Sequence, residues 1–136
     1  MTDRSEFKSL LQRIYAARVS GDMDVLRKDF TDDTTYVVAG SPDVGAMTVA
    51  MSGHADVMGV FERMLANYKL SNFEFLDMLI DGDRAAVRWR ATVHNAANGK
   101  TIDTELAHFI TIENGKIASM IEFMDTALAA RFVAPA

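Results

Sequence analysis

The sequence predicts an α+β fold: a strongly curved, mainly antiparallel sheet forming a cone, with three N-terminal helices packed on its concave face. Three observations carry this. Apolar residues recur at helical spacing early in the chain, with Phe7, Leu10, Leu11, Ile14 and Tyr15 at i, i+3, i+4, i+7 and i+8. From Arg84 to His94 the pattern switches to strict alternation, with Ala85, Val87, Trp89, Ala91 and Val93 inward and Arg84, Arg88, Arg90, Thr92 and His94 outward. Two strand-like runs then flank Glu113-Asn114-Gly115-Lys116, and Asn-Gly accepts the positive φ of a two-residue hairpin turn. Helices followed by a strand meander bury their apolar faces by stacking as layers.

Taken in order, the first helix runs from Asp3 to Ser20, and Asp3 with Glu6 has capping-box spacing. Gly21 ends it, and Asp22 caps a short second helix through Phe30. Asp32-Asp33 is expected to turn the chain into a β-branched strand, Thr34 to Ala39. Gly40-Ser41-Pro42-Asp43 reads as a loop, and a short strand is expected within Val44 to Gly53. The third helix spans Ala55 to Tyr68, with Val57, Val60, Phe61, Met64 and Leu65 on one side.

The strand Ser71 to Ile80 carries apolar residues on both faces, Phe73 and Phe75 against Leu76, Met78 and Ile80, which implies cover on both sides. Asp81-Gly82-Asp83 and Asn95 to Lys100 are turns around the alternating strand. In the closing hairpin, Thr104, Leu106, His108, Ile110 and Ile112 share one face, and Ala118, Met120, Glu122 and Met124 another. Thr126 to Phe132 reads as a short terminal helix.

The 136 residues fit one domain, 1–136, that can bury a core without staples. With no cysteine, a disulfide framework and a thiolate metal site are both excluded. A net charge of −5 without a basic run points away from nucleic acid. A polar N-terminus and the lack of a long apolar stretch lead us to expect a cytoplasmic protein with no membrane partner. Nine methionines suit an adaptable apolar space.

Glu122 and His108 are ionisable groups set among apolar neighbours, so chemistry is sought there first. Between Met120 and Met124, loss of water strengthens Glu122 as a proton acceptor; the plainer role is a carboxylate paired with an arginine or with water. A neutral His108 can donate to a developing oxyanion, or simply satisfy a neighbouring polar group in the core. A plain hairpin places His108 near Met120, so that contact with Glu122 is diagonal. Tyr36 can orient water or a carbonyl, or merely fill the cone, while Tyr15 and Trp89 read as walls. Arg84, Arg88 and Arg90 read as a solvated strip, and His54 and His94 as rim and turn residues. Three scattered histidines give no metal-ligand spacing, and neither a phosphate loop nor a nucleophile elbow is present, so no cofactor is expected.

Tyr15 through Tyr36 (YAARVSGDMDVLRKDFTDDTTY), Ser52-Gly53-His54, and His108 to Phe132 (HFITIENGKIASMIEFMDTALAARF) resemble the nuclear transport factor 2-like superfamily. The closer likeness is to its SnoaL-like and ketosteroid-isomerase-related members. Carried onto this chain, the resemblance puts Val38 where ketosteroid isomerases hold their aspartate base. It puts Ile14, beside Tyr15, at their oxyanion tyrosine and His108 at their protonated aspartic acid. In limonene-epoxide-hydrolase-like enzymes Tyr36 matches a water-positioning tyrosine, Val38 replaces an asparagine and Glu122 stands at an aspartate. Their Arg–Asp pair finds no acid on the strand around Arg88 to Ala91. The base proposed for SnoaL-like cyclases also falls at Glu122.

The resemblance therefore implies catalytic Glu122, His108 and Tyr36 around a pocket lined by Tyr15, Val38, Phe61, Trp89, Leu106, Met120 and Met124. The expected activity is cofactor-free isomerase or cyclase chemistry on an apolar cyclic or polyketide-like molecule. The alternatives are epoxide-hydrolase-like water activation and non-catalytic binding of an apolar ligand. A homodimer through the outer sheet face is expected from the resemblance and from the two-faced strand Phe73 to Ile80.

Overall fold

A computed structural model describes residues 3–40 and 49–135. Helix α1 (Arg4–Ser20) leads into α2 (Met23–Asp29), β1 (Phe30–Val38), β2 (Val49–Ser52) and α3 (His54–Asn67). Strands β3 (Tyr68–Asp81), β4 (Arg84–Asn95), β5 (Thr101–Glu113) and β6 (Lys116–Met124) follow, and α4 (Thr126–Val133) ends the chain. The loop expected at Ser41 to Asp43 and the region from Val44 to Thr48 lie outside the described residues.

The six strands form one sheet in the order β2-β1-β6-β5-β4-β3. The expected meander β3 to β6 is antiparallel throughout, and β1 lies parallel to β6 at its flank. The cone and its helical cover are those the sequence predicts. Phe7, Leu11, Val57, Ile110 and Ile117 are fully buried between the layers. Bidentate contact from Arg13 to Asp29, at 2.7 and 3.1 Å, anchors α1 to the end of α2.

Gly21 takes the left-handed conformation (φ 82°) that closes α1, and Asp22 accepts from the amides of Asp24 and Val25 as expected. The capping box does not form: Asp3 receives the Ser5 hydroxyl at 2.6 Å and makes no cap bond. Asp32-Asp33 is not a turn either. It lies inside β1, where the register with β6 slips between Phe30 and Thr35 and both acids stand in water.

The largest correction concerns β3. Its register with β4 slips between Ser71 and Glu74, where Asn72 has φ 51°, and again between Phe75 and Asp77. Each bulge resets the phase of the pleat. Phe75 then opposes Trp89, and Met78 and Ile80 oppose Val87 and Ala85, so all face inward together. The two-faced pattern is one face read across a bulge, and it supplies no argument for cover on the other side.

Outward instead runs a row joined strand to strand: Leu79, Ala86, Phe109, Ile121, Val37 and Ala50. Leu79 is 67% exposed and Phe109 49%. At the opposite end of the molecule α4 is tied down by its carbonyl groups. Asn95 and Asn98 donate to Phe132 O, and Lys100 to Arg131 O and Ala134 O. Phe132 is thereby set against Tyr68, with ring centres 5.9 Å apart.

Candidate active site

The concave sheet face and helices α1, α3 and α4 enclose a cavity of about 420 Å³, within the range of small-molecule sites. From α1 it is lined by Tyr15, from β1 by Tyr36 and Val38, and from α3 by Phe61. Strand β4 adds Trp89, β5 adds Leu106 and His108, and β6 adds Met120, Glu122 and Met124. All ten residues named from the sequence thus face one space. His54 and His94 do not: the first meets Arg27 O at 2.7 Å and the second Thr101 Oγ1 at 2.9 Å.

His108 and Glu122 meet directly rather than diagonally. The hairpin starts as expected, with Glu113 opposite Lys116 and Ile112 opposite Ile117, but Thr111 then pairs with Ser119. One extra residue on β6, Ala118, advances the register so that His108 opposes Glu122. The same bulge turns both Ile117 and Met120 inward. His108 Nε2 and Glu122 Oε1 lie 2.8 Å apart, with both residues about 5% exposed or less.

The placement of the protons follows from the partners. Trp89 Nε1–H, which can only donate, points at His108 Nδ1 across 3.3 Å. Nδ1 must therefore present its lone pair, and it also receives the Tyr15 hydroxyl in a short contact. The remaining ring proton sits on Nε2 and is donated to the carboxylate of Glu122. The result is a directed chain, Tyr15 to His108 to Glu122, ending on an acceptor in the cavity wall. Tyr15 is fixed by its own packing, with ring centres 5.2 Å from Phe75, 5.5 Å from His108 and 5.9 Å from Trp89.

This chain occupies Tyr15's proton. Tyr36 differs: its hydroxyl meets the weakly accepting Met64 Sδ at 3.8 Å and lies beside the Glu122 carboxylate, which also acts on it. Tyr36 is thus the hydroxyl able to turn to a ligand beside Glu122. Glu122 accepts from His108 on Oε1 and belongs to the cavity wall beside Tyr36.

Among the cavity residues that escaped the sequence reading are two arginines. Arg18 follows Tyr15 by three positions and shares its helix face, a signal that was present in the spacing; Arg63 lines the opening from α3. Arg88 and Arg90, in contrast, sit on the outer face. The acid for Arg88 comes from the neighbouring strands, Asp77 at 2.6 Å and Glu105 in closer contact, and Arg90 pairs with Glu74 at 2.7 Å. An Arg–acid pair is therefore present around Arg88, but it faces away from the cavity. Among the described residues no cluster of three or more His, Asp or Glu side chains is arranged to hold a metal ion, and no helix is long and apolar enough to cross a membrane.

Burial, and then the Glu122 charge, push Tyr15 and Tyr36 well above the ordinary tyrosine value of 10.0. Their neutral forms are favoured by the fold. The stability they contribute is complete below pH about 10, where unfolded tyrosine begins to ionise, and is lost as pH rises beyond it. Ultraviolet titration of the protein, which has three tyrosines, should show two that ionise only as the fold is lost. Three reversible ionisations in the folded protein would contradict this environment.

Comparison with known proteins agrees with the architecture. The chain matches the SnoaL-like domain family over residues 11–120. Among curated proteins none matches the sequence significantly. An NTF2-like protein from Burkholderia xenovorans LB400 superposes with a TM-score of 0.83 at 21% identity, covering 98% of this chain and 100% of that one. A candidate SnoaL-like polyketide cyclase from Jannaschia sp. CCS1 gives 0.80 at 17% identity, with full coverage of both chains. An LEH-like epoxide hydrolase of M. tuberculosis gives 0.76 at 13% identity, covering 95% of this chain and 92% of that one. At such identities the structural likeness speaks for the fold alone. With a curved sheet, a helical cover and a family match over most of its length, the chain belongs to the SnoaL-like domain family and has the fold of NTF2-like proteins.

Proposed function

We propose that this protein is a cofactor-free enzyme of isomerase or cyclase type, acting by acid–base chemistry on an apolar cyclic or polyketide-like molecule. The observation that carries the reading is the buried His108–Glu122 contact of 2.8 Å in the wall of an otherwise apolar cavity. A carboxylate that accepts a donated N–H and lines the ligand space is a proton acceptor in position.

Glu122 takes a proton from a carbon beside a carbonyl, and the electron pair moves onto the carbonyl oxygen. Tyr36 donates its hydroxyl to that oxygen as charge develops. Protonated Glu122 then either returns the proton at a second carbon, which isomerises the substrate, or waits while the enolate carbon attacks another carbonyl and closes a ring. In the ring closure Glu122 finally protonates the new alkoxide. His108, held by Tyr15 and Trp89, fixes the carboxylate and eases its change of charge. Water activation on an epoxide is the weaker alternative, since Val38 offers no second polar group to hold the water and the arginine pairs near Arg88 face outward.

Deuterium exchange at the acidic carbon of a panel of apolar cyclic ketones reads the base directly. Wild type should accelerate exchange. Glu122→Gln should cost on the order of 10²-fold or more, and Tyr36→Phe about tenfold, mainly in kcat. Unchanged exchange in Glu122→Gln, or none in wild type, would remove the proposal.

We also propose a homodimer through the outer face, supported by the apolar row ending in Leu79 and by Phe109 and Phe123, whose rings stand 5.9 Å apart. A strip that is apolar at its centre and flanked by alternating charges is self-complementary about a two-fold axis. Light scattering should give twice the chain mass for wild type and the monomer mass for Phe123→Glu; a wild-type monomer would contradict the assembly.

A further inference from the structure

We infer that the ligand carries a carboxylate, or an equally compact anionic oxygen group, and that Arg18 is the residue that receives it. This deepens the reading above, because it assigns a substrate class to the same cavity: an apolar body with one anionic end.

Arg18 stands in the last turn of α1 and lines the cavity. A guanidinium has five N–H donors and no acceptor. One of them reaches Tyr68 O at 3.2 Å. Among the described residues Arg18 forms no ion pair, although Arg13, Arg27, Arg88 and Arg90 all do. Arg18 differs from these four in lining the cavity rather than standing on an outer surface. Burial depresses its pKa, and the charge of Glu122 partly restores it through space without a direct contact. It remains a cation, since arginine is not deprotonated in proteins.

A cation placed in a mostly apolar hollow, with a single donor paired to the backbone and no counter-charge in contact, is unfavourable in the empty protein. An incoming anion removes that disadvantage, and a carboxylate matches the fork of the guanidinium with two parallel hydrogen bonds. Arg63, also without an ion pair among the described residues, lines the same cavity from the exposed side of α3. The chain has a net charge of −5, so two unpaired arginines at one opening run against its overall sign and favour entry of anions there.

Polarity is then divided within the pocket. Arg18 and Arg63 belong to the helical side, whereas Glu122, His108 and Tyr36 belong to the sheet. Glu122 would repel an anion brought to the sheet side, so the two charges orient a ligand: acid group to Arg18, reacting carbon to Glu122. Asp125 also lines the opening, but its side chain accepts from the Leu128 amide at 3.0 Å as the cap of α4.

The test uses the single tryptophan, Trp89, which lines the cavity and reports occupancy by its emission. Cyclohexanecarboxylate, 4-phenylbutyrate and decanoate are each titrated against the matching neutral amide at neutral pH and low salt. At least one acid should bind wild type about tenfold or more tightly than its amide. Arg18→Gln should bring acid and amide to within about threefold of each other while leaving amide binding in place. Arg18→Lys, which keeps the charge and loses the fork, should fall between them.

Retained amide binding and an unchanged circular dichroism spectrum show that Arg18→Gln has folded. The proposal is overturned if no acid in the panel outbinds its amide in wild type, or if the preference survives in Arg18→Gln. Glu122→Gln should lose proton exchange and keep the preference for acids. Failure of the catalytic reading is thereby distinguished from failure of the anion site.

Discussion

The buried contact between His108 and Glu122 is the constraint on which the rest of this cavity depends. A carboxylate with 4% of its surface exposed is tolerated in an apolar shell only if a donor faces it. The donor is an imidazole whose other nitrogen is claimed by two further groups, so its orientation is over-determined. Remove any one member and the remainder lose the reason for their geometry. The aromatic packing of Tyr15 against Phe75 and Trp89 belongs to the same arrangement, because it holds the first donor of the chain in line.

Sheet irregularities create that contact. Continued without a bulge from Glu113–Lys116 and Ile112–Ile117, the hairpin would set His108 opposite Ile121 and turn Glu122 to the other face of the sheet. The single bulge at Ala118 brings the two face to face, as the bulges of β3 bring Phe75, Met78 and Ile80 to one side. Bulges also bend strands, and a bent sheet is what leaves space between itself and its helices. The curvature that opens the cavity and the register that furnishes it therefore have one origin.

Much of this was legible in the sequence. Helical spacing from Phe7 to Tyr15, the alternation from Ala85 to Val93 and the Asn114-Gly115 turn each state a local preference that the fold obeys. Residues that share a face, such as Leu106, His108 and Ile110, could be placed on the cavity side before any contact was known. Register could not be read in this way. Whether one residue in a strand bulges depends on its neighbours across the sheet, and Phe73 to Ile80 looked two-faced because alternation was counted through such points. Asp32-Asp33, a turn by composition, was absorbed as an irregularity within β1 for the same reason. Arg18 was missed for a different one: a charged residue at a helix end is ordinarily solvated, and only the position of α1 over the sheet turns it inward.

The account rests on the direction of the proton chain, which the donor-only indole of Trp89 dictates. Long-range proton–nitrogen correlation spectroscopy of the labelled protein, with His108 assigned by substitution, reads that direction. The account predicts a protonated Nε2 and an unprotonated Nδ1. A proton on Nδ1 would contradict it, since the Tyr15 and Trp89 donors would then have nothing to receive them and Glu122 would lose its partner.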